Sequence, residues 1–141
     1  MRARRTRLLL RHRRLLTKAV ILLAYFRISL LLTSYVKIST QIVVVSQEPP
    51  NPLQPALLAW ATTVASSVVP NATCLAQALT LQKLLAAQGQ IAIIRVGVKG
   101  EPSGAVSAHA WVMHCGEVLL GGVGHDLDLY AKIADLEPLK Q

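Results

Sequence analysis

At 141 residues the chain has room for one domain with a helical appendage. A hydrophobic content of 52% excludes a disordered chain, and two cysteines exclude a disulfide framework, which points to free thiols in a reducing, cytoplasmic compartment. The net charge of +8 belongs to one arm, because residues 1–47 carry ten of the fifteen Lys and Arg and no acid. Such an arm suits an acidic protein or an anionic membrane surface. It has no interleaved aromatics, finger spacing or RNA-binding signature, which argues against a nucleic-acid partner.

Residues 5–38 read as one long helix or two, since no Gly or Pro occurs in the first 48 residues to mark a break. The basic Met1–Lys18 followed by the apolar Ala19–Val36 has the outline of a signal-anchor. The insertion sum is near balance, however. Ten strong apolar residues contribute roughly −3 to −6 kcal/mol and Arg27 costs about 2.5–3.5 kcal/mol. At about 100° per residue, Arg7, Arg11, Arg14, Lys18, Tyr25, Ser29 and Thr33 form one stripe. That predicts an amphipathic helix packed on a partner or lying on a membrane. Arg27 falls on the opposite side, and the pattern does not account for it. Ile42–Val45 reads as a short strand or the end of the helical region. Four prolines in residues 48–55 mark a linker.

Ala56–Val69 predicts a helix with Leu57, Trp60, Val64 and Val68 on one face. Pro70 and Asn71 then stop that helix, and Asn71 or Thr73 caps the next, 73–88, which ends at Gly89. Strands follow at about 91–98, 106–113 and 117–121, with Cys115-Gly116 as a tight turn between the last two. Helices followed by an antiparallel sheet define an α+β fold. The expected division is a helical subdomain at 1–47, a linker at 48–55 and a catalytic domain at 56–141.

Cys74 falls in the first turn of its helix under either cap. Free amides and the positive end of the helix dipole surround that position. Both favour thiolate over thiol, the nucleophilic form, and the same amides suit an oxyanion. His109 lies 35 residues on, on a strand. A helix packed across the sheet brings nucleophile and base together.

The run Pro70-Asn-Ala-Thr-Cys-Leu-Ala-Gln-Ala-Leu-Thr-Leu-Gln-Lys-Leu-Leu-Ala-Ala-Gln-Gly89, with Arg95-Val-Gly-Val98 and Ala108-His-Ala-Trp-Val112, closely resembles the lasso-peptide leader peptidases. These are stand-alone, transglutaminase-like cysteine proteases with a papain-like core, called B proteins. The resemblance is strong over residues 55–130 and extends to the N-terminal segment only in character. It implies Cys74 as nucleophile, His109 as base, and cleavage between leader and core through a thioester, before cyclisation, without metal or cofactor. Its implied partners are the lasso precursor peptide, a small leader-recognition protein and the lasso cyclase, with contact of the N-terminal helix to a membrane surface as a further possibility.

The third catalytic group is where this chain departs from that family, which has an Asp about a dozen residues after the histidine. Here Gly121 and Gly122 occupy the place. The open alternatives are Asp126, folding back from a flexible loop, then Asp128, a backbone carbonyl, or no third group; Glu117 fits a turn better. Gln77 and Trp111 are the candidate substrate-binding residues, although a surface glutamine and a core tryptophan account for them equally. Cys115 and His114 form a turn pair rather than a metal site, His125 reads as a solvated loop residue, and Gly97 marks a bulge or close backbone approach. Two other functions share these residues: a transglutaminase-like acyl transferase or deamidase, and a non-catalytic membrane-associated scaffold with a decayed site.

Overall fold

The computed structural model describes residues 2–39 and 41–140. Helices come first: α1 (Arg2–Arg11), α2 (Arg13–Leu32), α3 (Tyr35–Ser39), α4 (Pro55–Ser66) and α5 (Cys74–Ala86), with a short strand β1 (Val43–Val44) before α4. Strands β2 (Ile93–Gly100), β3 (Val106–His114), β4 (Glu117–Leu120), β5 (Ala131–Leu136) and β6 (Leu139–Lys140) follow. The fold is α+β, as expected.

The basic-apolar segment is three helices. The first break is at His12, where the backbone leaves helical geometry. The second is at Thr33, which is extended and turns its hydroxyl back to the Ser29 carbonyl at 3.0 Å. Such a bond offers the backbone an alternative to the helical ladder. Between these breaks α2 packs on α4 and α5 and buries Ala19, Leu23 and Phe26. Each fully buried large apolar side chain contributes about 1.5–3 kcal/mol. One apolar cluster takes in these three, Ile38 and Ile42 together with Leu58, Leu79 and Leu85, so residues on both sides of the proline-rich stretch share a core. The other flank of α2 exposes Ile21, Ile28, Leu31 and Leu32. Among the described residues α2 is the one helix long and apolar enough to cross a membrane.

The proline-rich stretch is anchored where the Leu53 amide donates to the Gln88 side chain at 2.8 Å. Pro55 then opens α4 at its first position, where a missing N–H costs nothing. The buried face of α4 is not the predicted one. Leu58, Ala59, Ala61, Thr62 and Ala65 are buried, while Val68 lies beyond the helix and is exposed. Small residues let α4 approach α2 and α5 closely, and that displaces the larger side chains to the flanks.

Helix α5 is the centre of the molecule and touches α2, α4, β1, β2 and β3. It is buried nearly all round, from Ala76 to Ala86. Its one buried amide, Gln82, donates to the carbonyls of Ala92 and Leu136, so the helix is tied to the sheet without an orphaned polar group. Gly89 ends it at φ +73°, a conformation that glycine adopts without strain.

The main sheet is antiparallel in the order β4-β3-β2-β5. Cys115 and Gly116 both have positive φ, which matches the two-residue hairpin turn expected between β3 and β4. Register shifts between Val96 and Gly97, so Gly97 does sit at a bulge. Strands β5 and β6 were not foreseen; β6 pairs in parallel with β1, closing the C-terminus onto the N-terminal region.

Candidate active site

Thr73 is the cap that α5 uses. Its side-chain oxygen accepts from the Ala76 amide at 3.2 Å and its carbonyl from the Gln77 amide at 3.0 Å. Cys74 is therefore the first residue of α5, in the turn where helical amides lack intrahelical partners. The loop before it is held from two sides. The Gln77 side chain donates to the Ala72 carbonyl at 3.1 Å. Arg27, unexplained by the pattern of its own helix, donates from Nε to the Asn71 carbonyl at 2.7 Å. Asn71 has φ +53°, a conformation asparagine tolerates better than most residues. The lone charge in the apolar part of α2 is thus a strut for the loop that precedes Cys74.

His109 projects from β3 and is 7% exposed. Its Nε2 lies 2.7 Å from the Gly121 carbonyl oxygen. A carbonyl only accepts, so Nε2 carries the proton and donates, leaving Nδ1 of the neutral ring as its acceptor. Gly121 comes this close because it is a glycine: its φ is +93°, and a Cβ there would stand 2.9 Å from Trp111 Cβ.

Around the imidazole is an aromatic nest. His125 stacks on His109 with ring centroids 3.9 Å apart and planes at 20°. Trp111, next along the same face of β3, stacks more distantly at 5.9 Å, and Tyr130 is tilted at 5.7 Å. Trp111 and Tyr130 meet over Gly97, where an added Cβ would lie 2.9 Å from each. Loss of solvation in this stack, followed by the nearby charges of His109 and Lys99, holds the His125 imidazole below the ordinary histidine range. The His125 ring thereby offers a stacking surface beside His109. His125 is an exposed loop residue, as expected, and its ring also stacks on His109. Neither His125 nor Tyr130 carried a sequence signal beyond its residue type.

Cys74, Gln77, His109, Trp111, Gly121 and His125 line one open cleft of about 760 Å³, a size suited to a peptide or small ligand. Cys74 and His109 thus meet at one cavity. Trp111, 5% exposed, contributes mainly packing to its wall. Asp126 and Asp128 do not line it. Asp126 caps a 3-10 turn (Leu127–Leu129), accepting from the Asp128 amide at 3.3 Å, and is exposed. Glu117 pairs across the turn with His114 and is exposed. Cys115 is exposed at the same turn, its Sγ 3.9 Å from His114 Nε2. Among the described residues, no group of three His, Cys, Asp or Glu is arranged to hold a metal.

No curated protein and no solved structure matches the chain. A family model does: the Transglutaminase-like superfamily, which includes cysteine proteases and acyltransferases, matches residues 15–135. Its reach takes in α2, the helix whose Arg27 braces the Cys74 loop, together with α5 and the sheet. By that match over most of its length, the chain belongs to the Transglutaminase-like superfamily.

Proposed function

We propose that the chain is a cytoplasmic leader peptidase that cuts a lasso-peptide precursor between leader and core, acting with a small leader-recognition protein and ahead of the lasso cyclase. The observation that carries the reading is the pairing of Cys74 and His109 at one cleft, with the imidazole's second nitrogen committed to the Gly121 carbonyl. The leader motif resemblance around Cys74 and His109 supplies the substrate class.

In this mechanism His109 accepts the Cys74 proton at Nδ1 as Sγ attacks the scissile carbonyl. The oxyanion takes hydrogen bonds from backbone amides at the start of α5. Collapse breaks the C–N bond; His109 returns the proton to the departing amine, and the leader stays on Cys74 as a thioester. Water, deprotonated by His109, releases the leader carboxylate and restores the thiol. The Gly121 carbonyl keeps the tautomer that this cycle needs, the part an orienting carboxylate plays in a serine triad. Asp126 stays with its turn.

Mass spectrometry of precursor, leader-recognition protein and this chain tests the reading. Cys74→Ala and His109→Ala should each reduce cleavage by about four orders of magnitude or more, with melting temperature little changed. Intact precursor with the native chain, under conditions where Cys74 can be alkylated, would remove the proposal. Incorporation of an added amine instead of water would assign the acyl-transferase reaction, and unchanged maturation by Cys74→Ala would assign a scaffold.

A further inference from the structure

A second cavity, of about 540 Å³, lies apart from the cleft where α1 and α2 meet the proline-rich stretch and the far end of α5. Its apolar lining is Leu15, Leu53, Leu58 and Leu84, the last two fully buried or nearly so. Arg11, Arg13, Arg14 and Lys18 line it as well, and all four are exposed. No carboxylate lines it, and the ion pairs among the described residues (Arg95–Asp135, Lys99–Glu101, Lys132–Asp135) involve none of these cations. The Gln88 side-chain oxygen already accepts from the Leu53 amide, and its NH2 group adds donors. The polar side chains of this wall therefore offer donors and positive charge around a leucine floor.

We propose that this cavity binds an acidic-apolar stretch of polypeptide, with an aliphatic or aromatic side chain on Leu15 and Leu53, which cover the buried Leu58 and Leu84, and flanking carboxylates on Arg11, Arg13, Arg14 and Lys18. Guanidinium groups hold carboxylates with paired, charge-assisted bonds. The floor needs a side chain, which a bare anion lacks. Single-stranded nucleic acid would need an aromatic platform for its bases, the one ring here, His12, is set edge-on to Trp60 at 6.2 Å, and a duplex would leave the apolar floor uncovered. A bilayer would use the outward apolar residues of α2, but Ile21, Ile28, Leu31 and Leu32 lie beyond Lys18 and outside the cavity.

On the leader-peptidase reading, on which this step alone rests, the occupant is a segment of the leader. Helix α5 connects the two sites, with Cys74 at its start and Leu84 ten residues on. Ten helical residues span about 15 Å, which an extended chain covers in roughly five residues. The acidic-apolar anchor should then lie at least about five residues before the cleaved bond.

The test is fluorescence anisotropy of the full chain with a labelled peptide alternating glutamate and leucine, against the same peptide with glutamine for glutamate. The acidic peptide should bind saturably and at least tenfold more tightly than its neutral counterpart, and binding should weaken with salt. Arg14→Glu with Lys18→Glu should lose tenfold or more, and Leu53→Ala about threefold. Because charge reversal can disturb folding, Arg14→Gln with Lys18→Gln provides a milder pair, with melting curves recorded for each. Equal affinity for the two peptides, or undiminished binding by folded charge variants, overturns the site. So does a variant pair that loses binding to phosphatidylglycerol vesicles but not to the peptide. Peptide binding without precursor cleavage would sink the peptidase reading and leave this site standing.

Discussion

Cys74 and His109 are held in opposite ways. Cys74 is placed mostly by its neighbours in sequence: Thr73 caps its helix and Gln77 ties the preceding loop. His109 is placed mostly by groups farther along the chain: the Gly121 carbonyl, the His125 ring and the Tyr130 ring, which meets its strand neighbour Trp111 over Gly97. Side chains clamp the first, whereas backbone and close packing clamp the second. A local clamp survives most changes elsewhere. A clamp built from glycine and ring contacts fails as soon as one atom is added.

Gly121→Ala tests that difference most severely after removal of Cys74 or His109 itself. The new methyl meets the Trp111 main chain and Cβ at about 3 Å, and the residue must keep φ +93°. Strain of about 1–3 kcal/mol is expected. Displacement of the carbonyl frees the imidazole to rotate or change tautomer, so kcat should fall by roughly tenfold to a hundredfold. Gly122→Ala is the matched control. Its added Cβ meets Val118 Cγ1 at 3.1 Å and nothing else closer than 3.9 Å, a side-chain methyl rather than backbone, and its φ lies outside the left-handed region. It should stay within about threefold of the native rate. Equal losses in the two variants would mean that the Gly121 carbonyl has no special part in orienting His109.

The Cys74 loop has a long-range contact to α2, and Arg27→Gln removes it. A hydrogen bond to a charged group contributes about 1.5–3 kcal/mol, here divided between anchoring α2 and holding the Asn71 loop. Cleavage should fall threefold to tenfold in kcat with KM little changed. A loss confined to melting temperature would reduce Arg27 to a packing role. Asp126→Asn should have a smaller effect, within about threefold, because its carboxylate serves the 3-10 turn rather than His109. A fall of several orders of magnitude there would restore Asp126 as the orienting group, since a wrong tautomer in the serine template costs about 10⁴.

The same contrast explains what the sequence disclosed. The start of α5, Gly89 as its end, the Cys115-Gly116 turn and the bulge at Gly97 were all readable, because each follows from the conformational preferences of a few adjacent residues. The role of Arg27 was not, since its partner lies 44 residues away. The buried face of α4 does not follow residue size: Ala59, Ala61 and Ala65 turn inward while Trp60 and Val64 sit at the flanks. Strand β5, at the sheet edge, alternates too weakly to stand out, with Ala131, Lys132, Ile133 and Asp135 all exposed. His125 and Tyr130 joined the site through the loop and edge strand that carry them, and composition could not place either one.

That edge strand offers the mildest test, and its outcome has a definite sign. Arg95 on β2 donates to both carboxylate oxygens of Asp135 on β5, from Nε at 2.8 Å and Nη2 at 3.0 Å, with Lys132 at 3.2 Å. The bond to Arg95, reinforced by Lys132, lowers the Asp135 carboxyl from 3.8 to about 2. A carboxylate with a depressed folded value contributes stability above its unfolded value and loses it as protons are added through the folded one. The contribution should therefore be complete above about pH 4, decline between 3.8 and about 2, and be absent below. The pair is partly open to water, so its size is about 0.5–1 kcal/mol. Urea midpoints of native protein and Asp135→Asn should differ by that amount at neutral pH and converge toward pH 2. Curves that stay parallel into acid would show that the pairing does not secure β5, and that the loop carrying His125 and Tyr130 is held by their ring contacts alone.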